Sequence, residues 1–349
     1  VTLVPSLRRC GATLAVAASL AFLSAAMAQP LESFLARADR AVGVVTAALD
    51  RDDAQRALQR SQADPLALRP ELLQAQQRAA LTDAQAREAL FEAYTTVAAA
   101  YAQVRETEYQ VAIASAGRDL AERALAVARL RFERGSATDL EVQAAETDLA
   151  EADRGLNAAR DGLALARSNL VGITGLELTA SEPIARERLV TLTVPDDASL
   201  VAAAAEVPSV LQVRHGLALA ELQVELLDPS FASRSQIDQA ALQRDQAAAG
   251  ASEALRGVTL LLRSRANTLA SALEGDRIAQ DALAQARERE AIERRRLDAG
   301  LISELAFEQA LLQTLQAELR AVQAEHALLN AALELQAATL RGLEGWNGF

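Results

Sequence analysis

Along residues 71–172, apolar and small positions recur every three or four residues, the period of a helix that buries one face. After Gly135 the series reads Val142, Ala145, Leu149, Ala152, Leu156, Ala159, Leu163, Ala166 and Leu170, which is a heptad seam. The run before it, Glu71 to Arg134, is helical in pattern and holds no proline. Gly135 supplies a left-handed turn at the end of the first run, and Thr138 is placed to cap the second. The expectation is a long antiparallel hairpin turning at 135–139. At about 1.5 Å per residue, its first arm reaches roughly 96 Å, longer than a globular domain is wide.

The same pattern returns when the sequence is shifted by 165 positions without a gap. Glu88, Ala89 and Leu90 fall on Glu253, Ala254 and Leu255, and Arg129, Arg131, Gly135, Leu140 and Leu163 fall on Arg294, Arg296, Gly300, Leu305 and Leu328. The chain is therefore read as a duplication, with a second hairpin turning at 300–304. Its seam runs Phe307, Ala310, Thr314, Ala317, Ala321, Ala324, Leu328, Ala331 and Leu335. Shorter helices, Leu31 to Ala63 and Ser209 to Leu227, precede the two hairpins and end at Asp64–Pro65 and Asp228–Pro229. Between the copies, residues 173–208 collect the Gly, Pro and Thr that the hairpins avoid, with a strand-like alternation at Leu189 to Val194. The expected division is a leader (1–28), a first helical repeat (29–172), a linker (173–208) and a second repeat (209–349). The fold class is all-α: two tandem coiled-coil hairpins with shorter flanking helices. Seams this rich in alanine let helix axes approach closely but bury little area, so further copies of the chain are expected to complete them.

Composition removes most other classes. Aromatics are 3%, Gly and Pro number 16 and 8, and all 35 basic residues are Arg, a mixture that favours helix and disfavours sandwiches and aromatic-girdled barrels. The net charge of -12 runs through the chain and offers no basic face to a nucleic acid. Neither His215 nor His326 has a second ligand at i+4, so no metal or other cofactor is expected. The pairs Asp52–Asp53 and Asp196–Asp197 lack a nucleophile or cofactor loop and read as solvated faces; no enzyme is expected. The cluster Arg294, Arg295 and Arg296 beside Glu288, Glu290 and Glu293 reads as intrahelical ion pairs. At the start, Arg8 and Arg9, the apolar segment Ala12 to Leu23 and the small-x-small Ala26, Met27, Ala28 read as an export signal, and Cys10, the single cysteine, precedes that segment.

A signal followed by two hairpins, each turning at Arg-x-x-x-Gly-x-x-[Thr/Ser]-x-Leu, resembles the TolC-like outer-membrane efflux proteins. The residues that carry the likeness are Arg131, Gly135, Thr138, Leu140 and Glu141 in the first tip, and Arg296, Gly300, Ser303 and Leu305 in the second. The resemblance implies a homotrimeric helical tunnel in an efflux or type I secretion system, with tips that dock a periplasmic adaptor. It makes Glu141 an entrance acid; Ala306 stands at the matching position of the second copy, with Asp139 and Glu304 as nearby acids. Family members insert a β-hairpin before each long helix. Here Asp228 and Ser230–Phe231 lead straight toward a helix starting near Ser233, and Pro65 to Pro70 is as short, so no bilayer-spanning strands are expected. The location implied is the cell envelope, periplasm or outer membrane, and the terminal Phe349 reads as an aromatic anchor against the bundle. The competing reading is a coiled-coil spacer of the envelope that transports nothing.

Overall fold

The computed structural model describes residues 31–178, 192–228 and 230–343. Its helices are α1 (Leu31–Leu35), α2 (Val42–Ala63), α3 (Arg69–Glu133), α4 (Asp139–Thr174), α5 (Asp197–Ala204), α6 (Pro208–Leu226), α7 (Arg234–Asp298) and α8 (Glu304–Thr339). No strand occurs among the described residues.

The duplication is kept residue for residue. Adding 165 to the bounds of α3 (69 and 133) gives those of α7 (234 and 298), and adding it to α4 (139 and 174) gives α8 (304 and 339). Both long arms hold 65 residues and both returning arms 36. Even the C-terminal turns correspond: Gly175 follows α4 at φ 68, and Leu340 follows α8 at φ 54.

Ion pairs show how the helices lie. Asp53 of α2 meets Arg78 near the start of α3, while Asp153, Glu146 and Glu108–Arg167 link α4 to the rest of α3. α2 and α4 thus share one flank of α3, end to end. α6 and α8 do the same between α3 and α7, packing on both. The result is a wall four rods wide: α2 with α4, then α3, then α6 with α8, then α7. Burial follows this order. α4, packed only on α3, buries fully just Leu156, Ala166, Leu170 and Thr174, whereas α8, flanked on both sides, buries 15 of its residues. The nine seam positions read from sequence in each returning arm are all buried or half-buried.

One face of the wall carries a cap. Leu31, Phe34, Leu35, Leu200 and Ala203 pack on Tyr101 and Val104 of α3, Leu262 and Leu269 of α7, and Leu329 of α8. Phe34 and Tyr101 meet at a ring-centroid distance of 5.6 Å. This contact explains a departure from the sequence reading. The single helix expected over Leu31 to Ala63 is broken at 36–41 by a 3-10 turn, because α1 must lie on the cap while α2 runs in the wall. The linker likewise contains a helix, α5, capped by Asp196 through Ser199 N at 2.9 Å. Of the alternation placed at 189–194, residues 189–191 lie outside the described residues and 192–194 form no strand. The leader, Pro229 and the terminal Phe349 also lie outside them. α4 continues two residues past Gly172, to Thr174. Among the described residues, no helix is long and apolar enough to cross a membrane.

Candidate functional site

The two tips form at glycines in the left-handed region, Gly135 at φ 73 and Gly300 at φ 70. There the Ser136 amide donates to the Arg131 carbonyl (2.9 Å) and the Leu301 amide to the Arg296 carbonyl (2.8 Å), the closure that ends a helix on glycine. Arg131 and Arg296 therefore serve the turns through their backbones. The side chain of Arg296 pairs with Glu293 (2.8 Å), as the spacing suggested, whereas Arg294 lies 4.4 Å from the centre of the Phe307 ring on the returning arm.

The returning arms begin at different caps. At the first tip, the Glu141 amide donates to Thr138 Oγ1 (3.3 Å) while the Thr138 amide donates to Glu141 Oε2 (2.5 Å), a reciprocal capping box. The Thr138 amide, its hydroxyl and then the charge of Arg131 hold the Glu141 carboxyl below its ordinary value. At the second tip Ser303 accepts from the Ala306 amide (3.2 Å), and no acid reaches back. Asp139 is taken up by Gln143 (2.6 Å). Leu140, Leu301 and Phe132 are exposed to 74%, 71% and 48%, so the tips present apolar surface, while Leu305 is half-buried.

Arg123 joins the two hairpins near their tips, reaching Glu304 (2.7 Å) and Glu308 (2.8 Å). Arg123 is 12 residues from Gly135 (135 − 123), whereas Glu304 is 4 from Gly300 (304 − 300). Its other partner, Glu308, is 8 from Gly300 (308 − 300), so at 3.6 residues per turn the first tip projects about one to two turns beyond the second. Neither Arg123 nor Glu308 was legible as a site residue, because their pairing spans helices not adjacent in sequence.

Opposite the cap, a cleft of about 1010 Å³ opens on the wall between α3 and α7. Glu88, Glu92, Thr96 and Gln103 line it from α3, with the Arg265–Glu334 ion pair on the other side. Burial, then the neighbouring Glu92, pushes the Glu88 carboxyl up. Between the cleft and the tips, the contact of α3 with α8 encloses His326, 2% exposed, whose Nδ1 lies 3.1 Å from Glu106 Oε1. That hydrogen bond holds the Glu106 carboxyl below its ordinary value against the effect of burial. His215 is on α6, where its carbonyl accepts from Gln77 Nε2 (3.1 Å).

No family model and no curated protein matches the sequence. Solved structures do match. A membrane protein from Pseudomonas aeruginosa superposes with a TM-score of 0.62 at 15% identity, covering 96% of this chain and 99% of its own. The outer membrane protein VceC of Vibrio cholerae gives 0.58 at 15%, covering 89% and 96%. The MtrE outer membrane channel of Neisseria gonorrhoeae, in its open state, gives 0.56 at 14%, covering 89% and 89%. Paired 65-residue rods, their left-handed glycine tips and these superpositions agree: the chain has the TolC-like fold of the outer-membrane efflux channels, all-helical among its described residues.

Proposed function

We propose that the chain forms the wall of a TolC-like conduit of an efflux or type I secretion system in the outer membrane or periplasm. Three copies close the tube, and the tips at Gly135 and Gly300 meet a periplasmic adaptor. No catalytic role is assigned to it.

The observation that carries this reading is the state of the wall's two edges. On α7, Leu242, Leu260 and Ile278 are 57%, 57% and 55% exposed. They are spaced by 18 residues (260 − 242 and 278 − 260), five turns of 3.6, and so form one line opposite the buried Leu262, Ala266 and Leu269. On the other edge Val42, Val45 and Leu49 form a similar line on α2 opposite the buried Ala54, and Leu165 continues it on α4 at 73% exposure. Each edge turns apolar side chains away from its own chain. The edges differ from each other, so their pairing is head to tail and closes into a ring when the rotation permits.

The spacer reading draws on one observation, the short turns that stand where the resemblance places strands. Cross-linking the full chain in its native envelope fraction and measuring the mass separates the two. The conduit requires a trimer, and a monomer overturns it. Gly135→Val with Gly300→Val forces β-branched residues into the left-handed region, which disfavours them by about 1–2 kcal/mol per site before clashes. Export should be lost with helix content retained. Export unchanged in that variant, or an envelope defect alone, favours the spacer.

A further inference from the structure

We propose that the cleft opposite the cap binds an amphipathic organic cation, a protonated amine carried on an apolar body. The inference rests on the conduit reading, which turns this face inward, and it names a class of solute that the inner wall retains.

The cleft lies where the third rod of the wall changes helix. α8 ends at Thr339 and α6 begins at Pro208, and Arg341 pairs with Glu206 across the junction. Glu334 near the end of α8 and Val207 just before α6 both line the hollow, as do Ile173 of α4, Glu88 and Glu92 of α3, and Leu261 of α7. All four rods therefore contribute, and the wall is concave on this face. A ring closed through the lateral edges turns a concave face toward its axis, where three copies of the cleft look onto one channel. Its volume, about 1010 Å³, suits a drug-sized ligand.

Charge and apolar surface together select the occupant. Glu88 and Glu92 stand one helical turn apart, and among the described residues no arginine pairs with either. The arginines around the cleft each have an acid of their own: Arg87 has Asp83 (3.3 Å), Arg167 has Glu108 (3.0 Å), Arg263 has Asp197 (2.6 Å), Arg265 has Glu334 and Arg341 has Glu206. With every carboxylate counted at full charge, Glu88 and Glu92 are the surplus. Arg214 donates to the Ala205 carbonyl (3.4 Å) beside the cap, and even with it included the cleft stays negative. A hollow lined by one sign of charge and walled by low-dielectric protein concentrates the opposite sign. Burial already pushes the Glu88 carboxyl up, so its charge is partly dehydrated and draws a cation more strongly than a fully hydrated acid does. The apolar part of the lining decides between an organic cation and a metal ion. Leu261 is 51% exposed and Ile173 39%, surface that an apolar body covers and that a hard ion seeking six or more oxygens cannot use.

Equilibrium binding of dansylcadaverine, a primary ammonium on a naphthalene body, to the purified full chain tests this. Dansyl-6-aminohexanoic acid is the matched anion on the same body. The ammonium probe should saturate below about 1 mM at one per chain, and the acid probe should not. Glu88→Gln with Glu92→Gln should weaken the ammonium probe about tenfold, and Ile173→Ser with Leu261→Ser by a similar factor, at unchanged helix content and oligomer mass. A trimer that does not saturate, equal binding of both probes, variants that bind undiminished, or magnesium ion taking the site at equal concentration overturns the cation site and leaves the conduit standing. A monomer that binds the ammonium probe through Glu88 and Glu92 keeps the site and overturns the conduit.

Discussion

At the scale of single residues, the two copies expose what duplication does not preserve. Gly175 and Leu340 close matching helices in the left-handed region, and no atom approaches within 4 Å of a Cβ built on Gly175. Gly175→Ala should therefore lose only the backbone preference, about 1 kcal/mol. Leu340→Gly would regain about 1–2 kcal/mol of that preference but forfeit a side chain only 4% exposed. Burial plus the resulting cavity is worth about 3 kcal/mol or more, so the variant should unfold at lower temperature; a raised melting temperature would show that strain outweighs burial. Glu106 gives a pH-dependent counterpart. Its folded value lies below the ordinary 4.5, so its contribution is complete above that pH and is lost as pH falls through the folded value. Glu106→Gln should cost about 1 kcal/mol near neutrality, after allowance for solvent screening, and the gap to wild type in denaturant titrations should close on acidification. Sequence displayed His326 but not its partner, because Glu106 is 220 residues away and no local period links them.

At the scale of elements, the hairpins were legible because their signals are local. Glycine, cap and 3-4 spacing fixed both tips and all four arms to within two residues or so at most ends, with Ser233 as the cap of α7. What was not legible depends on tertiary contact. The break before α2 follows from Phe34 seating on Tyr101, and α5 is a short helix whose Leu200, Ala203 and Ala204 are buried against the wall. The tips differ in one respect that can be engineered. Ala306→Glu would complete at Ser303 the reciprocal cap that Glu141 gives Thr138, adding about 0.5–1 kcal/mol to that helix start. Hydrogen exchange at the Ser303 amide should slow by a few-fold in the variant, and an unchanged rate would mean the glutamate does not fold back. Thr138→Ala should loosen the first tip by a similar amount.

At the scale of the whole molecule, the ion pairs also set relative heights across the wall, and these turn ring closure into a residue-level test. Glu108 beside Arg167 puts Leu165 of α4 level with residue 110 or so of α3. Glu106 beside His326 carries that height to about residue 322 of α8, and the pairs Arg287–Glu318 and Arg265–Glu334 carry it on to the neighbourhood of Ile278 on α7. Leu165 and Ile278 are exposed on opposite edges, so within one chain the width of the wall separates them. Between chains paired head to tail they face each other at one height. In a Cys10→Ser background, Leu165→Cys with Ile278→Cys should therefore form disulfides between chains under mild oxidation, since facing positions on closely packed helices come within the roughly 6–7 Å between Cα atoms that the bond tolerates. Denaturing gels should show dimers and trimers and then stop, because the third bond closes the ring. Either single cysteine variant should stay monomeric on the same gel. A ladder without limit would mean that the edges pair but the rotation leaves an open filament. No cross-link at all would mean that the apolar edges are covered by something other than a sister chain.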